Sequence, residues 1–160
     1  MKESIDNDFP VRNHPAHHPP IERINRPVII FLTVCSDQRR KILADETVHA
    51  VLRDAWRSSK QWNVGRYVIL PDHIHLFCSP AIREAENVAS WATYWKRAVS
   101  RLLPEQLHPI WQRDCWDTQL RGHESYGEKW AYVRDNPMRA GLVENVDDWP
   151  FQGELNILRW

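Results

Sequence analysis

The chain has 160 residues, 42% of them hydrophobic and 26% charged, which is enough for one domain with a sizeable core. Its 21 basic residues balance 21 acidic ones, which argues against a protein that coats nucleic acid through bulk charge and leaves room for a local basic stripe. No apolar run approaches a membrane span and the N-terminus lacks a signal-peptide layout, which makes the cytoplasm the expected location.

Residues 1–27, "MKESIDNDFPVRNHPAHHPPIERINRP", hold five of the eleven prolines and His14, His17 and His18; this composition makes an extended arm rather than a regular element. "VIIFLTVCS" (28–36) is β-branched and apolar, a strand. The stretch 45–63 is helical, with Asp45 as cap and Val48, Val51, Leu52, Ala55 and Trp56 as one stripe. "VGRYVIL" (64–70) is a second strand, and Pro71 and Asp72 turn into a third, "HIHLFCS" (73–79). A long helix over 83–103 ends before Pro104, a fourth strand fits 115–121, and a last helix fits 123–135 before Pro137 and Gly141. The order β-α-β-β-α-β predicts an α+β fold of ferredoxin-like type: one antiparallel sheet with helices on one face, plus a C-terminal helix. The expected organisation is an arm over 1–27, a single domain over 28–151 and a tail over 152–160.

Cys35, Cys78 and Cys115 are odd in number and contain no C-x-x-C pair, so they suggest neither a disulfide framework nor a zinc knuckle. Cys35 and Cys78 read as small buried hydrophobes. Nine tryptophans are an excess that can build a core or offer stacking platforms for unpaired bases.

Chemistry concentrates in "VILPDHIHLFCSP" (68–80). Strand alternation puts His73, His75 and Phe77 on one face and Ile74, Leu76 and Cys78 on the other, core-facing one. The imidazoles therefore point from the open face of a central strand, as a metal clamp requires. The last helix offers partners. Tyr126, Trp130 and Val133 share a helical core stripe, whereas Tyr132 lies on a polar line with Glu128 and Asn136 one turn away on either side. A metal held by two imidazoles and an oxygen ligand, carboxylate or amide, keeps positions open for a phosphodiester. Attack by Tyr132 would store the bond energy in a phosphotyrosine link for rejoining, which hydrolysis would not need. In "YWKRAVSR" (94–101), Lys96, Arg97 and Arg101 form a basic stripe suited to a DNA backbone, while Trp91, Trp95 and Val99 read as core.

"LPDHIHLF" resembles the histidine–hydrophobic–histidine motif of single-tyrosine transposases, and "YVRDNPMRAGLV" resembles the tyrosine helix and loop of the REP-associated tyrosine transposases. "HPAHHPP", "WQRDCWDTQLR" and "DDWPF" extend the resemblance over roughly residues 14–151. The resemblance implies a ferredoxin-like HUH endonuclease that cuts and rejoins single-stranded DNA at repetitive extragenic palindromes, hairpins flanked by a guide tetranucleotide. It implies that His73 and His75 bind Mg²⁺ or Mn²⁺, that Asn136 completes the metal site, and that Tyr132 becomes linked to a 5′ phosphate. The arm is expected to help read the tetranucleotide, and the branch is expected to act as a monomer, with a dimer as the alternative. Two other functions fit the same residues: a hairpin-binding module with an unused site, and a plain metal-dependent phosphodiesterase.

Overall fold

Strand β1 (Ile30–Cys35) is buried at all six positions, as a strand covered on both faces must be. The computed structural model describes residues 17, 20, 28–121 and 125–159. Ile30, Leu32 and Val34 point to one core while Ile29 and Phe31 point to another on the opposite face. The period-two pattern of one short stretch thus supplies both layers.

Asp45 caps α1 (Glu46–Arg57) by accepting from the Thr47 and Val48 amides. Val48, Leu52 and Trp56 form its buried face. The helix is six residues shorter than the sequence suggests, because Trp62 already starts β2 (Trp62–Ile69). The Trp62 indole donates to the Glu86 carbonyl at 2.9 Å, and its ring is 2% exposed. Burial of a large ring in the sheet overrides its local helical phase. β2 pairs with β3 (His73–Pro80) through a register shift between Val64 and Tyr67. Gly65 lies in that bulge, where a Cβ would stand 2.7 Å from the Tyr126 hydroxyl.

Asn87 starts α2 (Val88–Leu102) by accepting from the Ala89 amide, so residues 83–87 lie outside the helix expected to begin at 83. Strand β4 (Trp116–Gln119) pairs with β1. Ser125 caps α3 (Tyr126–Arg134), a break follows at Asp135, and α4 (Asn136–Arg139) resumes immediately. Pro137 sits in the first turn of α4, where its missing N–H costs nothing. Asn136 is therefore helical rather than extended. Gln152–Glu154 form β5 and pair with β2, so the sheet takes in residues assigned from sequence to a tail.

The sheet order is β4-β1-β3-β2-β5, antiparallel throughout. The expected α+β class and antiparallel sheet are present, with a fifth strand added at one edge. α1 and α2 cover one face, and Tyr126 and Val133 of α3 join Phe31, Phe77, Trp149 and Leu158 on the other. No helix among the described residues is long and apolar enough to cross a membrane. Five of the described tryptophans, Trp56, Trp62, Trp91, Trp95 and Trp149, are buried. Trp56, Trp62, Trp91 and Trp95 are at most 2% exposed, and Trp95 meets Trp56 and Trp111 edge-on at 5.6 Å.

Candidate active site

His73 and His75 project from the same face of β3, the middle strand of the sheet, with ring centroids 4.7 Å apart at 77°. Neither is on an open surface: His73 is 5% exposed and His75 is 0% exposed. The second face of the sheet carries its own core under α3 and the C-terminal segment, which a strand pattern read alone does not reveal. His75 stacks on Phe31 at 5.2 Å.

Each ring is held at Nδ1. In β1 the cross-strand partner of His75 is Thr33, whose Oγ1 is 2.9 Å from His75 Nδ1. His73 Nδ1 is 2.7 Å from Asp72 Oδ1. Arg39 donates from Nε to the other Asp72 oxygen at 2.9 Å. Its terminal nitrogen is also 3.3 Å from His73 Nδ1, but the shorter carboxylate contact requires that Nδ1 carry the proton. Arg39 flanks the ring and accepts nothing from it. Anchoring both Nδ1 atoms fixes the ring orientations and leaves the Nε2 edges as the ligand edges, an arrangement typical of metal-binding histidines.

The electrostatics favour the same state. Burial, then His73, Lys129, Arg39 and Arg139, push His75 well below its ordinary pKa, so its imidazole is neutral near pH 7 and able to ligate. Burial alone would raise Asp72, but hydrogen bonds from His73 and Arg39 outweigh it and hold the carboxyl well below the usual range. Gln38 and Arg39 adopt φ of 52° and 55°. The left-handed region costs roughly 1–2 kcal/mol per L-residue, and here it delivers the Arg39 guanidinium to Asp72.

Tyr132 and Tyr126 separate as the helical phase predicts. Tyr126 is 6% exposed, and its hydroxyl accepts from the Arg66 amide at 3.0 Å. Tyr132 is 46% exposed. Two cations face its ring: Arg139 at 4.3 Å and Lys129 at 5.7 Å from the centroid. The Lys129 ammonium is also 4.9 Å from the Phe31 ring, the ring on which His75 stacks, so one side chain spans from the tyrosine to the histidine platform. Asn136 is 1% exposed. Its Oδ1 accepts from the Arg139 guanidinium, which also reaches the Tyr132 carbonyl at 2.9 Å. Any cation bound at Asn136 shares that oxygen with Arg139 or displaces it.

The basic stripe of α2 is corrected at one position. Lys96 is 6% exposed, and its ammonium donates to the Gln112 carbonyl at 3.0 Å. Burial lowers its pKa, and the backbone carbonyl takes the place expected for a phosphate. Lys96 stands four residues after Ala92 and three before Val99, both buried, and the carbonyls of Gln112 and Arg113 cover its ammonium. Arg97 and Arg101 are exposed and line a hollow of about 550 Å³ with Trp111 and Arg113. Sequence reasoning also missed Thr33, Arg39, Lys129 and Arg139. Thr33 is visible only from cross-strand register, and Arg39 only from a turn. Lys129 and Arg139, spaced three before and seven after Tyr132, could have been found by tracing the tyrosine's helical line.

No family model matches the chain. It is 28% identical to a REP-associated tyrosine transposase of Escherichia coli, over 76% of this chain and 73% of that protein. It is 27% identical to a Haemophilus influenzae protein named provisionally for the same activity, with 77% of each chain covered. A solved structure of a REP-associated tyrosine transposase bound to a REP hairpin superposes with a TM-score of 0.65 and 25% identity, covering 84% of this chain and 82% of that one.

Proposed function

We propose that this chain, a homologue of the REP-associated tyrosine transposases, is a metal-dependent single-strand DNA endonuclease and strand transferase with Tyr132 as nucleophile. Its substrate class is the palindromic DNA hairpin, the ligand named for its solved relative. The observation that carries the mechanism is the buried His73–His75 pair, with both Nδ1 atoms anchored and neutral His75 joined to Tyr132 through Phe31 and Lys129.

The donor set fits a divalent cation: two imidazoles of fixed orientation and one amide oxygen from Asn136. Mixed nitrogen and oxygen ligands suit Mn²⁺ and are compatible with Mg²⁺. When bound, such an ion polarises the scissile phosphate and eases departure of the leaving oxygen. The chain's own residues do the rest. Tyr132 Oη attacks phosphorus, forming a tyrosyl 5′-phosphate ester as the bond to the 3′ oxygen breaks. The phenol's proton is lost and the departing oxygen gains one, leaving a 3′ hydroxyl. Lys129 and Arg139, flanking the Tyr132 ring, offset the negative charge of the incoming diester. Return attack by a 3′ hydroxyl rejoins DNA without ATP. Arg97 and Arg101 supply backbone contacts away from the chemistry. The protein acts in the cytoplasm, as a monomer.

The test is denaturing electrophoresis of protein mixed with end-labelled hairpin DNA. A covalent adduct on the 3′-labelled fragment is expected. Cleavage without any adduct would instead favour a plain phosphodiesterase, and binding without cleavage a hairpin-binding module.

A further inference from the structure

Three ligand-type atoms outside the histidine pair meet near the edge of the sheet. His17 of the arm approaches the segment leading into β4, and one donor atom each from His17, Asp114 and Cys115 lie within 4.8 Å of one another. His17 Nε2 is 2.6 Å from Asp114 Oδ1, while His17 Nδ1 contacts an oxygen of Asp117 on β4. The Asp117 side chain is only 5% exposed, and Cys115 is 2% exposed. Asp117 lies on the edge strand β4 and Cys115 just before it, both side chains inside the protein, and His17 reaches them across about a hundred residues of sequence.

We propose that His17, Asp114 and Cys115 form a second, structural cation site that takes Zn²⁺ and fastens the N-terminal arm to the edge of the sheet. The ring orientation is the first reason. With the Nδ1 proton donated to Asp117, the Nε2 lone pair of a neutral ring faces the Asp114 carboxylate. A lone pair and an anion face each other only with a proton or a cation between them. The carboxylate–histidine pairing is also the one that orients a zinc-binding imidazole. The donor set is the second reason. A thiol beside an imidazole and a carboxylate selects a borderline-soft ion over Mg²⁺. Ligand distances of about 2.0–2.3 Å place such an ion among the three donors, opening the His17–Asp114 contact.

The thiol is the third reason. Cys115 is buried where its sulfur meets the His17 and Asp114 donor atoms, and ion binding would release its proton to solvent. The competing arrangement is an imidazolium bridging two aspartates. In it both ring nitrogens donate, Nδ1 to Asp117 and Nε2 to Asp114. That arrangement makes no use of Cys115, so the sulfur distinguishes the two.

The experiment uses the full chain carrying His73→Ala and His75→Ala, so that the other imidazole pair contributes no binding. Equilibrium dialysis against Co²⁺ is expected to give one bound equivalent with a thiolate-to-cobalt charge-transfer absorption, displaced by Zn²⁺. Cys115→Ser and His17→Ala should each abolish that absorption. Asp117→Asn should weaken binding by about 10–100-fold. Circular dichroism checks folding. Should Cys115→Ser not fold, His17→Ala, altered only on the arm, carries the test. No bound Co²⁺, binding without the thiolate absorption, or absorption that survives His17→Ala would each overturn the site and leave His17 as a bridge between aspartates. None of these readouts depends on DNA cleavage, so the two proposals stand or fall separately.

Discussion

At the scale of single residues, the two tyrosines of α3 divide the work. Tyr132→Phe removes one exposed oxygen, and the covalent adduct is expected to vanish while hairpin affinity and fold persist. Tyr126→Phe is expected to keep the adduct and to lose about 1–3 kcal/mol of stability, because the Arg66 amide loses its acceptor. An adduct lost only in Tyr126→Phe would reverse the assignment. Tyr126 also predicts a pH dependence. Burial pushes its phenol up to about 12, so the folded state holds the proton more tightly than the unfolded one. That contribution is complete below about pH 10 and fades as the pH rises toward about 12. Urea unfolding across this window should show a smaller loss for Tyr126→Phe than for the parent; equal losses would mean that the phenol is not protected. Thr33 acts through His75. Thr33→Val keeps the volume and removes the Nδ1 anchor, so Mn²⁺ affinity by calorimetric titration should fall about 10–100-fold. Unchanged affinity would leave Thr33 a packing residue.

At the scale of elements, α2 carries two different kinds of basic residue on one helix. Arg97 and Arg101 are exposed, whereas Lys96 is fixed to backbone carbonyls. Each arginine changed to alanine should reduce the salt slope of hairpin binding by about 0.7–0.9. Lys96→Met should lower the unfolding midpoint by unpairing the Gln112 carbonyl and leave the salt slope as it was. A lower salt slope in Lys96→Met would return that residue to the DNA-binding surface. The interruption at Asp135 matters in the same way. It lets α4 restart at Asn136, which buries that amide beside the arginine that covers Tyr132.

At the scale of the whole molecule, the larger hydrophobic core and the candidate metal centre lie on opposite faces of the sheet. The α1–α2 side of the sheet is a continuous apolar core with four tryptophans of at most 2% exposure. The histidines lie on the other side, within the smaller core. Removing metal should therefore silence the enzyme without unfolding it. Cleavage in excess EDTA is expected to stop and to return with Mn²⁺, while the far-ultraviolet circular dichroism stays the same. Undiminished cleavage in EDTA would remove the metal from the mechanism.

The sequence alone determined what depends on periodicity and neighbouring positions. The alternation in "HIHLFCS" put Ile74, Leu76 and Cys78 toward one core and both histidines on the opposite side. The helical phase separated Tyr126 from Tyr132 by burial, and the Trp91–Trp95–Val99 stripe went to the core. These are local geometric rules, and the tertiary structure obeyed them. Only the tertiary structure decided what depends on residues distant in the chain. β5 joins the sheet because its partner β2, some ninety residues earlier, has a side that β3 leaves open, a pairing that three residues cannot announce. The imidazoles are buried because α3 and the C-terminal segment close over the second face. Lys96 is withdrawn from solvent because the 111–113 carbonyls come to rest on it. Cross-strand register alone brings Thr33 to His75. Burial and long-range partners are sums over the whole fold, and no local pattern carries them.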